Sequence, residues 1–177
     1  YSPAELRSLD AFARSRGVNL VPEIDIPGHC AILCKSDSRW RFPGTNNCID
    51  FRSSWVRGRI RRMVGEAMDL FPHAPYIHLG GDEASYPKGG SNDGAFVDFL
   101  GEMTDLVLKR GRTPLLWEGF PRSHYALQRI SKKVRVISWS MNSYRPASLI
   151  KDGFSVINAT WDPFYVVGHY SFNAFTL

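Results

Sequence analysis

No stretch of this 177-residue chain approaches the ~18 consecutive apolar residues of a membrane-spanning helix. Neither G-x-G-x-x-G nor G-x-x-x-x-G-K-[ST] occurs, so the two commonest phosphate-cradling turns are absent. There is no H-x-H or H-E-x-x-H pair, which weakens any case for a catalytic zinc site. Cysteine is scarce: Cys30, Cys34 and Cys48 permit one disulfide plus a free thiol, or three reduced thiols. Cys30 and Cys34 have loose ligand spacing, but no second Cys/His pair completes a metal site. The net charge is +5, yet the basic residues concentrate only in "RGRIRR", Arg57 to Arg62. That run lies inside a helical pattern and reads as a solvated helix face, so no nucleic-acid partner is expected. No signal peptide is visible, and the chain starts at Tyr1 in mid-pattern, so the reading frame is expected to extend upstream. Asn158-Ala159-Thr160 fits the glycosylation acceptor pattern but falls in an apolar, strand-like run, and reads as accidental.

What is present is a globular composition, 44% hydrophobic and 22% charged, with aromatics at 13% including five Trp. Such a chain suits one domain with a sizeable core. Ser2-Pro3-Ala4-Glu5 reads as a capped helix start, followed by Leu6, Leu9 and Ala13 at helical spacing with Phe12 beside them; Gly17 ends it. A mostly buried strand is expected over Val18 to Ile24. Helix then strand recurs four more times. The helix from Ser54 to Leu70 (Val56, Ile60, Val64, Ala67 on one face) precedes a strand from Tyr76 to Leu79. The helix from Asp93 to Lys109 (Phe96, Leu100, Met103, Val107) precedes a strand from Pro114 to Trp117. Helices near Tyr125 to Ile130 and Ala147 to Lys151 precede strands at Val134 to Trp139 and Phe154 to Ala159. This is a parallel-sheet α/β pattern.

Polar and aromatic residues gather where each strand ends: Glu23, Asp25 and His29; Asp82 and Glu83; Trp117 and Glu118; Trp139; Tyr165. Functional groups at the C-terminal ends of successive strands are the habit of a (β/α)8 TIM barrel. Five βα units are too few to close one, since a full barrel takes roughly 250 residues. The expectation is a partial barrel over residues 1–177, lacking the first and last strands and corresponding roughly to the third to seventh.

The stretch "YIHLGGDEA", Tyr76 to Ala84, ends a strand in two glycines and two adjacent carboxylates. Asp82 and Glu83 can be a helix N-terminus, where acids complement the dipole and Asp caps. Alternatively, Gly80-Gly81 breaks the pleat and turns both acids towards one mouth, where two carboxylates can divide labour between ionised and protonated roles. A third chemistry would gather His29, His73, His78, Asp25, Asp82 and Glu83 around a hydrolytic metal. It ranks below the acid pair, because His78 lies within a strand, where a lone His is more often a core residue.

"VPEIDIPGH" (Val21 to His29) and "HLGGDE" (His78 to Glu83) resemble the two signatures of the family 20 glycoside hydrolases, the β-N-acetylhexosaminidases. The resemblance runs from Tyr1 to about Tyr165. It implies hydrolysis of terminal β-linked N-acetylhexosamine with retention, the sugar's own acetamido group attacking the anomeric carbon, an exception to the two-carboxylate scheme. On that resemblance Glu83 is the general acid/base, Asp82 orients the acetamide and stabilises the oxazolinium, and His29 tunes the acid. Trp117 and Trp139 wall the pocket, and should also desolvate the acid so that it stays protonated. Tyr165 bonds the acetamide oxygen. Trp161 is a further wall or core, Glu118 a ligand of a sugar hydroxyl or a surface acid, and Asp25 and His78 polar supports.

The resemblance also implies a glycan or glycoconjugate substrate, no cofactor, no metal, and a secreted, periplasmic or lysosomal location. Val166-Val167 stand where the family often has Leu-Asp after its tyrosine, which leaves gluco against galacto preference open. The family's first-strand arginine, second-strand acids and last-strand Trp and Glu are absent from this chain. A catalytically silent sugar-binding barrel and a metal-dependent hydrolase remain as rival readings.

Overall fold

The computed structural model describes residues 1–140 and 144–165, so the Val166-Val167 position lies outside the described residues. Its elements are α1 (Pro3–Ser15), α2 (Ala31–Ser36), a 3-10 turn (Ser38–Trp40), α3 (Ser54–Leu70), β1 (Tyr76–His78), α4 (Gly90–Lys109), β2 (Thr113–Trp117), α5 (His124–Arg129), β3 (Arg135–Ser138), α6 (Pro146–Lys151), β4 (Ser155–Asn158) and α7 (Trp161–Phe164). The four strands form one parallel sheet in the order β1-β2-β3-β4. Sequential order without reversal is the arrangement of a barrel wall, in contrast to a doubly wound sheet, whose order reverses.

The segment expected as the first strand, Val18 to Ile24, pairs with β1 over a short stretch only. His78 N–H donates to Pro22 O (3.0 Å), Ile24 N–H to His78 O (2.9 Å) and Ile26 N–H to Leu79 O (3.2 Å), and the sole bridge pairs Glu23 with His78. Pro22 has no N–H, and the chain turns away at Pro27, so the ladder stops there. The contact still places the end of this segment beside the end of β1.

The capping box at Ser2 and Glu5 forms on α1. Its apolar stripe faces outward, however: Leu9 is 47% and Phe12 58% exposed, while Asp10 and Ala13 are buried. The buried Asp10 carboxylate fixes this orientation, because Oδ2 accepts the His73 N–H (3.1 Å) and lies 2.9 Å from His73 Nδ1.

The core lies between the sheet and its outer helices. Val56, Ile60, Val64 and Met68 of α3 face Phe96, Leu100, Met103 and Val107 of α4, with Phe51 and Tyr86 packed beside them. Met68 takes the inward place expected of Ala67. The basic run on α3 serves this packing: Arg57 Nη1 (3.1 Å) and Arg61 both bond Glu102 of α4, and Arg59 stacks over Trp55 at 4.4 Å. Cys30, Cys34 and Cys48 are all free and buried, and burial pushes the Cys30 and Cys48 thiols up to about 12. Among the described residues no helix is long and apolar enough to cross a membrane.

Helix α3 ends at Leu70, and carbonyls of its last turn and of the turn that follows need donors. Arg112, one residue before β2, supplies them: its guanidinium donates to Met68 O (3.0 Å), Phe71 O (2.6 Å), Pro72 O (3.3 Å) and Ala74 O (3.0 Å). Arg112→Ala should therefore destabilise the fold by about 2–3 kcal/mol, and Arg112→Lys should recover only part of this, because an ammonium cannot span four acceptors. Urea unfolding of the three proteins measures both.

Candidate active site

Strand β1 delivers Leu79, and the chain then enters the left-handed region at Gly80 (φ +67°) and Gly81 (φ +104°). A Cβ on Gly80 would stand 1.8 Å from Asp25 Oδ1 and 2.7 Å from Asp25 Cα, so no other residue fits. Pairing with β2 nevertheless continues through the bend, with Leu79 N–H donating to Leu115 O (3.0 Å) and Trp117 N–H to Gly80 O (2.8 Å). Glu83 follows with a positive φ of 43°. No helix starts at the acid pair. Helix α4 begins seven residues later at Gly90, after a Gly89 N-cap with no side-chain bond, so Asp82 is not a helix cap and α4 starts ahead of the expected Asp93.

The bend brings the two acids to one imidazole. His29 Nε2 lies 3.6 Å from Asp82 Oδ2 and 3.3 Å from Glu83 Oε2. His29 itself has φ +52°, at the end of a turn that runs through a cis Ile26–Pro27 bond. Asp25 sits behind them. Burial raises its carboxyl to about 7, and the charge of Asp82 adds to the rise. Asp82 is also raised by burial, opposed by its own backbone N–H and by His29. Asp25 Oδ1 and Asp82 Oδ1 are buried with no hydrogen-bond partner. Glu83 is different: its side chain is 58% exposed, standing in solvent where the sequence suggested a place behind apolar walls. Asp25, His29 and Asp82 also offer ligand atoms within 4.8 Å of one another, a donor set that suits a divalent cation.

The aromatics stand on neighbouring strand ends. Trp117, half-buried, donates from Nε1 to Glu23 Oε1 (3.1 Å) and meets the His78 ring edge-on at 4.8 Å. His78 is 3% exposed, and its Nδ1 lies 2.7 Å from Glu23 Oε1 without the angle of a hydrogen bond. Burial lowers the His78 pKa, with Glu23 opposing. This histidine therefore sits behind Trp117, away from the open mouth. Glu23, given no role from the sequence, turns out to hold Trp117 in place. Its signal was its position two residues before Asp25, on the same face of an extended segment.

Trp139 is half-buried, and its Nε1 donates to Glu118 O (3.2 Å). Glu118 corrects the sequence reading, being neither a surface acid nor open to a sugar hydroxyl. It is fully buried, and its carboxylate accepts from Ser138 Oγ, Ser140 Oγ and Ser140 N–H (3.1 Å). As the neighbour of Trp117 on an extended chain it points to the opposite side, into the seam between β2 and β3. Trp161 lies outside the core at 37% exposure, with its N–H donating to Trp139 O (2.8 Å). Tyr165 is exposed too. Its hydroxyl pKa is raised, first by the partial burial that remains and then by the Asp82 charge.

Residues 1–174 match the family described as glycosyl hydrolase family 20, catalytic domain. Beta-hexosaminidase 1 of Coccidioides posadasii is 25% identical over 206 residues, covering 94% of this chain and 34% of its own length. The structure of Dispersin B superposes with a TM-score of 0.77 at 20% identity, over 89% of this chain and 52% of that one. A β-N-acetylhexosaminidase from Bacteroides fragilis does so with a TM-score of 0.74 at 24% identity, over 89% and 34%. The chain thus spans about a third of the curated relative, and its fold is that of part of a TIM barrel.

The Asp25 carboxyl gives a stability test. With its pKa moved from 3.8 to about 7, folded Asp25 keeps a proton between those values that the unfolded chain has released. The cost of ionising it is absent below about pH 4, grows as pH rises, and is complete above about 7. Asp25→Asn cannot ionise, so its urea midpoint should fall less steeply across that window and exceed the wild-type value above pH 7. Parallel curves for the two proteins would place the proton elsewhere.

Proposed function

Because the chain belongs to the glycosyl hydrolase family 20 catalytic domain, we propose that it carries the centre of a β-N-acetylhexosaminidase, which releases terminal β-linked N-acetylhexosamine from glycans with retention. One observation carries this reading: Asp82 and Glu83, adjacent in sequence, both lie within 3.6 Å of the same His29 nitrogen. Glu83 is the acid that protonates the glycosidic oxygen, and its exposure leaves it open to a leaving group entering from solvent. As the bond to the aglycone breaks, the acetamide oxygen of the substrate bonds to the anomeric carbon. Asp82 orients the acetamide N–H and opposes the positive charge that develops on the oxazolinium ring. Water then opens that ring, giving its proton to Glu83. Trp117 and Trp139 form the apolar walls around the sugar and the acetamide methyl, and the Tyr165 hydroxyl donates to the acetamide oxygen.

The ligand set of Asp25, His29 and Asp82 favours a second reading, a cation-assisted hydrolase. Two crowded carboxylates, each with an unpartnered oxygen, are satisfied by a cation or by a shared proton. The first reading takes the proton, and expects turnover by the protein carrying this chain to survive dialysis against a strong chelator.

Two substitutions in that protein test the assignment. Glu83→Gln should cost roughly 10²–10⁴ in turnover on substrates with poor leaving groups, and much less on activated aryl glycosides that need no proton. Asp82→Asn should lower kcat by roughly 10²–10³ with little change in ground-state binding. A 2-hydroxyl glucoside, which has no acetamide, should scarcely react. Efficient glucoside hydrolysis, or equal losses on both leaving groups, would contradict the mechanism.

A further inference from the structure

We propose that Glu118 is a positioning residue that sets the plane of Trp139, and through it the size of the acyl group the site accepts. The inference rests on the reading of Trp139 as a wall of the acetamide pocket. Residue 118 makes bonds to four consecutive residues of the neighbouring strand end. Its N–H donates to Ile137 O (2.9 Å), and its carboxylate accepts from the hydroxyls of Ser138 and Ser140 and from the Ser140 N–H. Its carbonyl oxygen accepts the indole N–H of Trp139. Trp139 is thus held at the ring by the main chain of Glu118 and flanked on both sides by serines bound to its side chain.

The residue type suits the task. A carboxylate is acceptor-only, so it takes three donors without offering one back. A glutamine amide would turn one oxygen into a donor and leave at least one of the three bonds to rearrange. Among the described residues no Lys, Arg or His pairs with Glu118, so its side chain is held by these three donors alone. The strain of losing them falls on the segment 138–140. The same segment also anchors the chain beyond β4, because Ser138 O accepts from Ala159 N–H and Trp139 O from Trp161 N–H, both at 2.8 Å. The carboxylate is buried in the seam, so its influence on a bound sugar passes through the indole that it flanks.

The test uses the protein carrying this chain, labelled with 5-fluorotryptophan, and a pair of aryl glycosides bearing 2-acetamido or 2-propionamido groups. The Trp139 resonance is assigned by its loss in Trp139→Phe. Glu118→Gln should shift or broaden that resonance. It should also narrow the acetamido preference in kcat/KM by roughly threefold or more, from the roughly tenfold that one methylene commands in a fitted pocket. The dependence on leaving group should not move, because Glu83 is untouched. Ser140→Ala, which keeps the carboxylate, should act in the same direction by a smaller factor, and serves if Glu118→Gln fails to fold. An unmoved Trp139 resonance in the folded variants overturns the positioning role. A moved resonance with an unchanged acyl preference overturns its link to specificity. Loss in Glu118→Gln of the penalty for deoxygenated sugars would instead mark a direct sugar contact and also overturn it. A wild type indifferent to the acyl group would speak against the functional reading, while the resonance would still decide whether Glu118 sets Trp139.

Discussion

The close passage of backbone between residues 80 and 82 is the constraint on which the site depends. Asp25 fills the space where a Gly80 side chain would be. On one side a Cβ at Gly28 would reach 2.8 Å from Asp82 O, and on the other a Cβ at Gly119 would reach 2.8 Å from Gly81 O and 2.9 Å from Asp82 Cα. Three glycines from three strand ends therefore let three segments close around one dipeptide. Any side chain in that packing would push the acids away from His29. Only after the main chain has been seated this way do charge and burial act on Asp25 and Asp82.

A second layer supports the first. Glu23 receives the indole N–H of Trp117, His78 backs the same ring, and Glu118 ties the next strand end together. Each indole N–H is thus taken by a glutamate of another strand end, that of Trp117 by the Glu23 carboxylate and that of Trp139 by the Glu118 carbonyl. This supporting use explains why strand-end acids outnumber those available for chemistry.

Much of this was legible in the residues. The apolar period placed α3 within its observed bounds, and the order of helix and strand implied the parallel sheet. The glycine pair implied the bend, and its effect on the acids could be stated in advance. Four things were not legible. The outward face of α1 depends on Asp10 finding His73, a contact sixty-three residues away that no local period records. The pairing of Pro22 to Ile26 is cut short by prolines whose effect depends on the neighbouring strand. The burial of Glu118 turns on two serines from the next strand end, and a side chain's partners across a sheet cannot be read from its own stretch of chain. Helix α2 also escaped notice, since Ala31–Ser36 has no capping side chain and its N-cap is Cys30.

That N-cap has a use of its own. Cys30 follows His29 directly, its thiol is buried against the Asp25 carbonyl (3.3 Å), and its high pKa keeps it protonated at neutral pH. A closed loop therefore shields it doubly from alkylating reagents, by access and by protonation. Alkylation of Cys30 ahead of Cys34 and Cys48, both fully buried, would therefore time the opening of the histidine loop apart from unfolding of the whole.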